Sequence, residues 1–278
     1  MSAVYPTSHR AGWAIAGAMA LVLVAYEARA AEDCSAQLAA VVAQTYPDAE
    51  KVSDLELSSK DRKLFLPGHE SERYAAVCRI WPADPNRLLV AVPLIVDEAA
   101  SVVAGDIDIL VVDSSTLQVK QRLLLENAIE DDAFKIRSIG IDTARYKLTP
   151  TMRAFGVRVE KVGSSRVNPF SETSLSLYAI EAYALRQVLA GIVVEKEQGE
   201  FDGNCVGTSK TTTRTLAMGD TRVNGFASIR VTEATLSSTY AADDTANCRE
   251  QTKKLPSRSL ELIFDGNRYA VPDEFRPL

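Results

Sequence analysis

Histidine is scarce in this chain, and its scarcity excludes several kinds of site. The sequence contains two histidines, His9 and His69. His9 falls in the N-terminal segment discussed below, so a multi-histidine metal site is excluded. A Ser-His-Asp or Cys-His centre would have to use His69. Because His69 follows Pro67-Gly68 in a polar stretch, we interpret it as a solvated loop residue.

Several ligand-binding motifs are also missing. The sequence has no Gly-x-Ser-x-Gly, no Cys-x-x-Cys and no Asp-x-Asp-x-Asp-Gly calcium loop. It also lacks the glycine-rich loops that bind nucleotide phosphates. We therefore predict no cofactor and no metal, and we favour a protein that is not an enzyme.

A surplus of positive charge is absent as well. The formal net charge is −6, which argues against nucleic acid and against anionic membrane surfaces as partners. No apolar stretch after residue 30 is long enough to cross a bilayer. The sequence thus predicts no membrane span in that part of the chain, and it does not define the oligomeric state.

Residues 1–30 have the pattern of a secretory signal peptide. Arg10 precedes an uninterrupted run of apolar and small residues over 11–25, and Ala28 and Ala30 provide the small side chains that signal peptidase requires. We predict cleavage before Ala31, a periplasmic or secreted location, and one domain over 31–278. The alternative, an uncleaved anchor, is disfavoured because a spanning helix needs about 20 apolar residues.

The four cysteines predict two disulfides in such a compartment. Their nearly equal separations favour Cys34 with Cys78 and Cys205 with Cys248. An alternative is a nucleophilic elbow at Gly203-Asn204-Cys205-Val206-Gly207. A polar, β-branched run follows it, and such a run is a poor helix.

The remaining sequence indicates a mainly β fold. We predict a helix from Ser35 to Tyr46 with Leu38, Val41, Val42 and Thr45 on one face, and a surface loop over 49–73. Alternating apolar and polar residues then predict antiparallel strands. The segments are Tyr74–Trp81, Leu88–Val96, Asp106–Val112, Leu117–Leu125, Phe134–Ile141, Phe155–Val162, Ser174–Ile180, Ala184–Glu195, Thr211–Ala217, Phe226–Ala234 and Ser259–Phe264. Periodicity does not decide between strand and short helix for Leu123–Glu130 and Leu185–Leu189.

Three segments share a hairpin pattern, with an acidic residue ending an apolar strand. They turn at Asp113, Glu181 and Asp265. The first resembles the outer hairpin of a β-propeller blade, yet the unequal gaps do not fit a regular propeller. We therefore predict an irregular antiparallel β protein with propeller-like or sandwich packing.

Acidic residues are numerous but form no diagnostic arrangement. Asp106 and Asp108 share a strand face, while 130–132 and 243–244 are acidic clusters in predicted loops. We interpret them as solvated acidic turns.

Basic and aromatic residues concentrate between Arg145 and Phe170. This composition is typical of interfaces, so we predict a ligand or partner surface there, against the alternative of arginines paired with carboxylates. The candidate binding residues are Arg145, Arg158, Arg166, Asn168 and Phe170.

The leading functional hypothesis is a non-enzymatic exported protein that binds another envelope protein, for example as an inhibitor or immunity protein. The first alternative is a carboxylate-dependent envelope hydrolase. The second is a module that binds a small acidic ligand through the Arg145–Phe170 surface. No catalytic residue is assigned.

Overall fold

The computed structural model describes residues 34–98, 102–243 and 247–278, without the side chains of 97 and 98. The predicted signal peptide and its cleavage residues Ala28, Ala30 and Ala31 lie outside the described residues. Within the described ranges, no helix has the length and apolar character needed to cross a membrane.

The prediction of a mainly β fold is confirmed. A helix, α1, covers residues 34–45, and two single-turn 3₁₀ helices lie at Glu72–Tyr74 and Asp273–Phe275. The strands are β1 (Glu50–Lys51), β2 (Glu56–Ser59), β3 (Arg62–Phe65), β4 (Val77–Ile80), β5 (Arg87–Glu98), β6 (Val103–Asp113), β7 (Val119–Asp131), β8 (Phe134–Lys147), β9 (Arg153–Gly163), β10 (Phe170–Glu181), β11 (Ala184–Phe201), β12 (Gly207–Val223), β13 (Phe226–Ala242), β14 (Cys248–Lys254) and β15 (Arg258–Leu262).

These strands form two antiparallel sheets. The first has the order β1-β2-β3-β5-β6-β7, with β4 also paired to β5. The second has the order β14-β13-β12-β11-β10-β9-β8, with β15 also paired to β13. Most neighbours are consecutive in sequence, which is the pattern of a meander.

One hydrophobic core lies between the sheets. Ala91 and Ile109 of the first sheet belong to the same buried cluster as Ile139, Phe155 and Tyr178 of the second. The predicted alternation in β9 is confirmed at Phe155 and Val157, which are 1% and 4% exposed. The packing is therefore that of two stacked sheets, the sandwich variant of the prediction.

Helix α1 covers the opposite face of the first sheet. Leu38, Val41 and Val42 are buried there with Val90 and Leu110. Tyr46, just after the helix, donates a hydrogen bond of 2.6 Å to Asp108 Oδ2. The same oxygen lies 2.6 Å from Nη2 of the exposed Arg122, so the buried Asp108 joins the Tyr46 phenol at the helix end to β7.

A second core lies on the far face of the second sheet. Leu177 and Ile192 are buried with Ile229 of β13 and with Phe264 and Phe275 of the C-terminal segment. Two guanidinium groups lie over the Phe275 ring, with Arg214 4.4 Å and Arg258 5.0 Å from its centre. Both arginines form ion pairs with Glu233, at 2.7 Å each. This arrangement fixes the C-terminal segment on the sheet.

Both predicted disulfides are present. Cys34 pairs with Cys78, which joins the start of α1 to β4. Cys205 pairs with Cys248, which joins the β11–β12 loop to the edge strand β14. The alternative of a nucleophilic Cys205 is wrong, because its sulfur is bonded in the disulfide.

Several boundaries differ from the prediction. The predicted loop over 49–73 contains three short strands, β1 to β3. β14 was not predicted because every one of its residues is polar, except Cys248, and all are exposed. The two segments for which a short helix was the alternative are strands: Leu123–Glu130 lies in β7 and Leu185–Leu189 in β11.

Candidate functional site

A cleft of about 510 Å³ opens between the two sheets and is the best candidate for a functional site. It lies where β6 and β7 of the first sheet face β9, β10 and β11 of the second. Its lining comprises Ile107, Leu124, Leu125, Glu126, Ala128, Val157, Val159, Lys161, Glu172, Ser174, Ser176, Tyr178, Gln187, Gly191, Pro277 and Leu278. Its size lies within the range of small-molecule sites, about 300–1,000 Å³.

Apolar side chains line the cleft from both sheets. Ile107 of β6 and Leu125 of β7 make the wall from the first sheet mainly apolar, while Val157 and Val159 of β9 belong to the second sheet. Ile107 and Val157 are nearly fully buried, at 2% and 4% exposure, and Leu124 is 38% exposed at the mouth. These side chains match the body of an apolar ligand, since burying such surface is favourable by about 25 cal/mol per Å².

A row of polar groups from β10 lies beside Val157 and Val159 in the second sheet and faces the first sheet across the cleft. Ser174, Ser176 and Tyr178 alternate with the buried Leu175 and Leu177, so the pleat brings all three to the cleft. Ser176 Oγ accepts a hydrogen bond from the Gly191 amide at 3.0 Å.

Tyr178 is the deepest polar group of this row. It is 1% exposed, and its hydroxyl accepts a hydrogen bond of 3.2 Å from Gln187 Nε2. Burial raises the pKa of Tyr178 to about 12, so the phenol keeps its proton at neutral pH. It is therefore a hydrogen-bond donor to an oxygen placed in the cleft.

Charged residues lie at one end of the cleft. Glu172 of β10 pairs in register with Lys161 of β9 and with Lys196 of β11. Glu172 is 3% exposed and lies 3.2 Å from Lys196 Nζ, while its Oε1 accepts the Leu278 amide at 3.0 Å. The charge of Lys196 thus balances that of Glu172.

The polar groups of the lining are hydroxyl, amide, ammonium and carboxylate groups. Among the described residues that line the cleft there is no histidine, cysteine or aspartate. Across 34–98, 102–243 and 247–278, no group of three or more metal-ligating side chains comes together. What remains is an apolar wall facing hydroxyl, amide and paired ionic groups.

The predicted Arg145–Phe170 residues do not converge on this cleft or on each other. Arg158 is bound to Asp142 through Nε and Nη2, both at 2.8 Å. Phe170 packs against Phe134, with ring centres 4.6 Å apart. These contacts fit the alternative of arginine–carboxylate pairing for Arg158.

The other three predicted residues are exposed. Arg145 precedes the β8–β9 turn, whereas Arg166 and Asn168 lie in the β9–β10 loop, at the opposite end of the eleven-residue strand β9. That strand spans roughly 35 Å, so the predicted residues form no single pocket. A binding role for each separately stays a prediction.

The interpretation of the acidic residues as solvated turns is wrong at three positions. Asp106, Asp108 and Asp131 are 4%, 0% and 1% exposed. Asp106 pairs with Arg62 at 2.8 Å, and Asp131 accepts the Ile136 amide at 2.9 Å. Each has a structural partner from a neighbouring strand or turn.

His69 is not solvated either. Its ring stacks on Phe65 with centres 4.5 Å apart, and its Nδ1 accepts the Ser71 amide at 3.0 Å. Nε2 lies 3.6 Å from Glu56. These contacts hold the imidazole in the β3 region, away from the cleft lining.

The residues of the candidate site that sequence reasoning missed are Glu172, Ser174, Ser176 and Tyr178. A signal for them exists in the Ser-Leu-Ser-Leu-Tyr alternation of β10. The alternation places serines and tyrosine on one face, but only the packing of the first sheet makes that face a cleft wall.

No protein-family model matches the chain, and comparisons with the curated proteins and with the solved structures find no similar protein.

Proposed function

We propose that this chain is an exported, non-enzymatic binding protein that holds a small amphipathic molecule in the cleft between its sheets. The observation that carries the proposal is the facing of an apolar wall and a polar row across about 510 Å³. Export is supported by the composition of residues 1–30 and by two disulfides, which persist in oxidising compartments.

The lining defines the class of ligand. A body of aliphatic or aromatic carbon would contact Ile107, Leu125 and Val157. A hydroxyl or carbonyl oxygen of the ligand would accept a hydrogen bond from Tyr178 or form one with Ser174. Ser174 is available for this because its present hydrogen bond to the Val159 carbonyl is long, at 3.4 Å. Such a division between apolar surface and a few placed polar groups is typical of ligand sites.

The state of the acids disfavours the hydrolase alternative. A glycosidase needs two carboxyl groups about 5–9.5 Å apart, one of them with a raised pKa. The two acids of the cleft differ from such a pair, because Glu172 is balanced by Lys196 at 3.2 Å and Glu126 is exposed to solvent. The geometry thus supports binding better than carboxylate catalysis.

Filling the cleft tests the proposal. The probe is N-phenyl-1-naphthylamine, an uncharged amphipathic fluorophore, titrated into the purified protein. Ser174→Phe places a ring in the cleft, and Ser257→Phe adds the same ring at an exposed position between β14 and β15. We expect saturable binding by the wild type and by Ser257→Phe, and at least about tenfold weaker binding by Ser174→Phe.

Circular dichroism would verify that both variants are folded. Equal affinity of a folded Ser174→Phe and the wild type, or no saturable binding by the wild type, would contradict the proposal.

A second candidate function, binding of another envelope protein, is favoured by one observation. Tyr183 is 94% exposed at the tip of the β10–β11 hairpin, and tyrosines are enriched among residues that dominate protein interfaces. The test is affinity capture from an envelope extract with the wild type and Tyr183→Ser. A partner bound reproducibly by the first and lost by the second supports this role; equal capture by both excludes Tyr183 as its anchor.

A further inference from the structure

A second cavity, separate from the cleft, lies at the other end of β9 and β10. It has a volume of about 430 Å³ and is lined by Trp81, Ala83, Asp84, Arg87, Thr151, Met152, Arg153, Ile180 and Ala182. We call it the arginine hollow. It is formed by the β4–β5 loop, the β8–β9 turn and the tip of the β10–β11 hairpin.

Positive charge in the hollow is incompletely balanced. Arg87 forms an ion pair with Asp84 at 2.8 Å. Arg153 is partly buried and forms no ion pair or side-chain hydrogen bond with any residue that the structure describes. The lining therefore carries one uncompensated positive charge, in a chain whose net charge is −6.

The strand register adds to this charge. Arg153 pairs directly with Lys147 of β8, so both side chains emerge on the same face of the sheet. Directly opposed like charges are destabilising in antiparallel pairs. Lys147 also has no anionic partner among the described residues. An anion bound beside Arg153 would relieve this repulsion.

The floor of the hollow is apolar and fixed. Trp81 is 6% exposed, with Arg87 6.0 Å from its ring centre, and Met152 and Ile180 continue the apolar surface. The β4–β5 loop is closed by two hydrogen bonds of 2.9 Å, from Trp81 N to Arg87 O and from Arg87 N to Asp84 O. A preformed site of this kind loses little entropy on binding.

We propose that the arginine hollow binds a small organic carboxylate, with the carboxylate on Arg153 and its apolar body against Trp81 and Met152. A planar guanidinium matches a carboxylate in a bidentate pair. Arg153 is the one uncompensated cation among the described residues of the lining, and the charge of the exposed Lys147 is screened by solvent, so a monoanion is favoured over a dianion such as a phosphate monoester. This site is independent of the ligand proposed for the cleft.

Calorimetric titration of the purified protein with benzoate tests the proposal. For a probe of this size we expect a Kd of about 1 mM. Benzyl alcohol keeps the ring and lacks the charge, so it should bind at least about tenfold more weakly, and phenyl phosphate should bind no better than benzoate.

Three variants locate the site. Arg153→Gln should weaken benzoate binding at least about tenfold, and Lys147→Gln about twofold to threefold, because Lys147 acts only through its charge. Arg73→Gln removes the same charge from an exposed residue outside the hollow and should leave the Kd unchanged. Melting temperatures verify that all three are folded.

Equal binding of benzoate and benzyl alcohol would overturn the proposal, as would an unchanged Kd in Arg153→Gln. Tighter binding of phenyl phosphate than of benzoate would overturn the assignment to monoanions. If N-phenyl-1-naphthylamine did not bind in the cleft, the results expected for benzoate in the arginine hollow would stay the same.

Discussion

Replacing Phe275 by alanine tests whether the C-terminal segment is an integral part of the second core. The ring is 0% exposed, and removing a buried phenylalanine side chain costs about 3–5 kcal/mol. Arg214 and Arg258 flank the ring at 4.4 and 5.0 Å, and each contact adds about 0.5–1 kcal/mol. The expected loss in the free energy of unfolding is thus about 4–7 kcal/mol.

That loss is a large part of the total stability of a domain, about 5–15 kcal/mol. The assay is urea unfolding followed by far-UV circular dichroism with both disulfides intact. Phe275→Leu is the matched control: it keeps most of the apolar volume and removes the ring, and it should cost about 1–2 kcal/mol.

A loss below about 1.5 kcal/mol in Phe275→Ala would refute the reasoning, because it would mean that the segment contributes little to the core. Equal losses in the alanine and leucine variants would instead refute the contribution assigned to buried volume.

Three further predictions concern single features of the fold. Ala182 has a φ of +50° in the two-residue turn between β10 and β11, so Ala182→Gly should raise the free energy of urea unfolding by about 0.5–1 kcal/mol; a decrease would contradict this. Burial raises the pKa of Glu233, but Arg258 and Arg214 outweigh it and lower the pKa below its ordinary value of 4.5. The ionised Glu233 therefore adds to the free energy of unfolding above pH 4.5, and this contribution is lost as the pH falls below 4.5. Between pH 4.5 and lower pH, the free energy of urea unfolding should accordingly fall less in Glu233→Gln than in the wild type. The Cys205–Cys248 bond closes a loop with a separation of 43 residues, so the double variant Cys205→Ala/Cys248→Ala should lose about 4 kcal/mol by the chain-entropy argument; an unchanged urea midpoint would contradict it.

Local patterns made much of the fold predictable from the sequence. Strict alternation in β9 identified the face that carries Phe155 and Val157, and this face is buried. Equal cysteine separations identified both disulfides. Each of these signals depends on residues close in sequence or on a small number of possible pairings.

Strands with polar composition were not predictable in the same way. β14 has an all-exposed sequence, Cys-Arg-Glu-Gln-Thr-Lys-Lys, and it is a strand because β13 provides hydrogen-bond partners along its whole length. Edge strands of this kind are rich in charge, which protects them against unwanted pairing. Their amino-acid pattern is therefore that of a loop.

The candidate sites were less predictable because they depend on contacts between distant segments. The buried Asp108 is bound by Tyr46, just after α1, and by Arg122 of β7. The cleft needs β7 to face β10 and β11. The arginine hollow needs the β4–β5 loop to meet the β8–β9 turn. No local periodicity predicts these contacts, because they arise from the stacking of the two sheets.

The cleft and the arginine hollow share one row of aromatic side chains. Trp81 lines the hollow, Tyr178 lines the cleft, and Phe155 lies between them, with ring centres 5.9 Å from Trp81 and 5.7 Å from Tyr178. The three side chains are 6%, 1% and 1% exposed. Contact alone does not couple two sites, because coupling requires an element with two arrangements that both ligands bias.

A row packed this closely has little freedom to adopt a second arrangement. We therefore expect the two sites to bind independently: saturating benzoate should change the Kd of N-phenyl-1-naphthylamine by less than about twofold, whereas coupled sites typically show changes of about 5–150-fold. Titration of the naphthylamine with and without benzoate measures this, and Arg153→Gln serves as the control in which benzoate should have no effect at all. A change of fivefold or more in the wild type, absent in Arg153→Gln, would mean that the aromatic row does move and transmits occupancy from the hollow to the cleft.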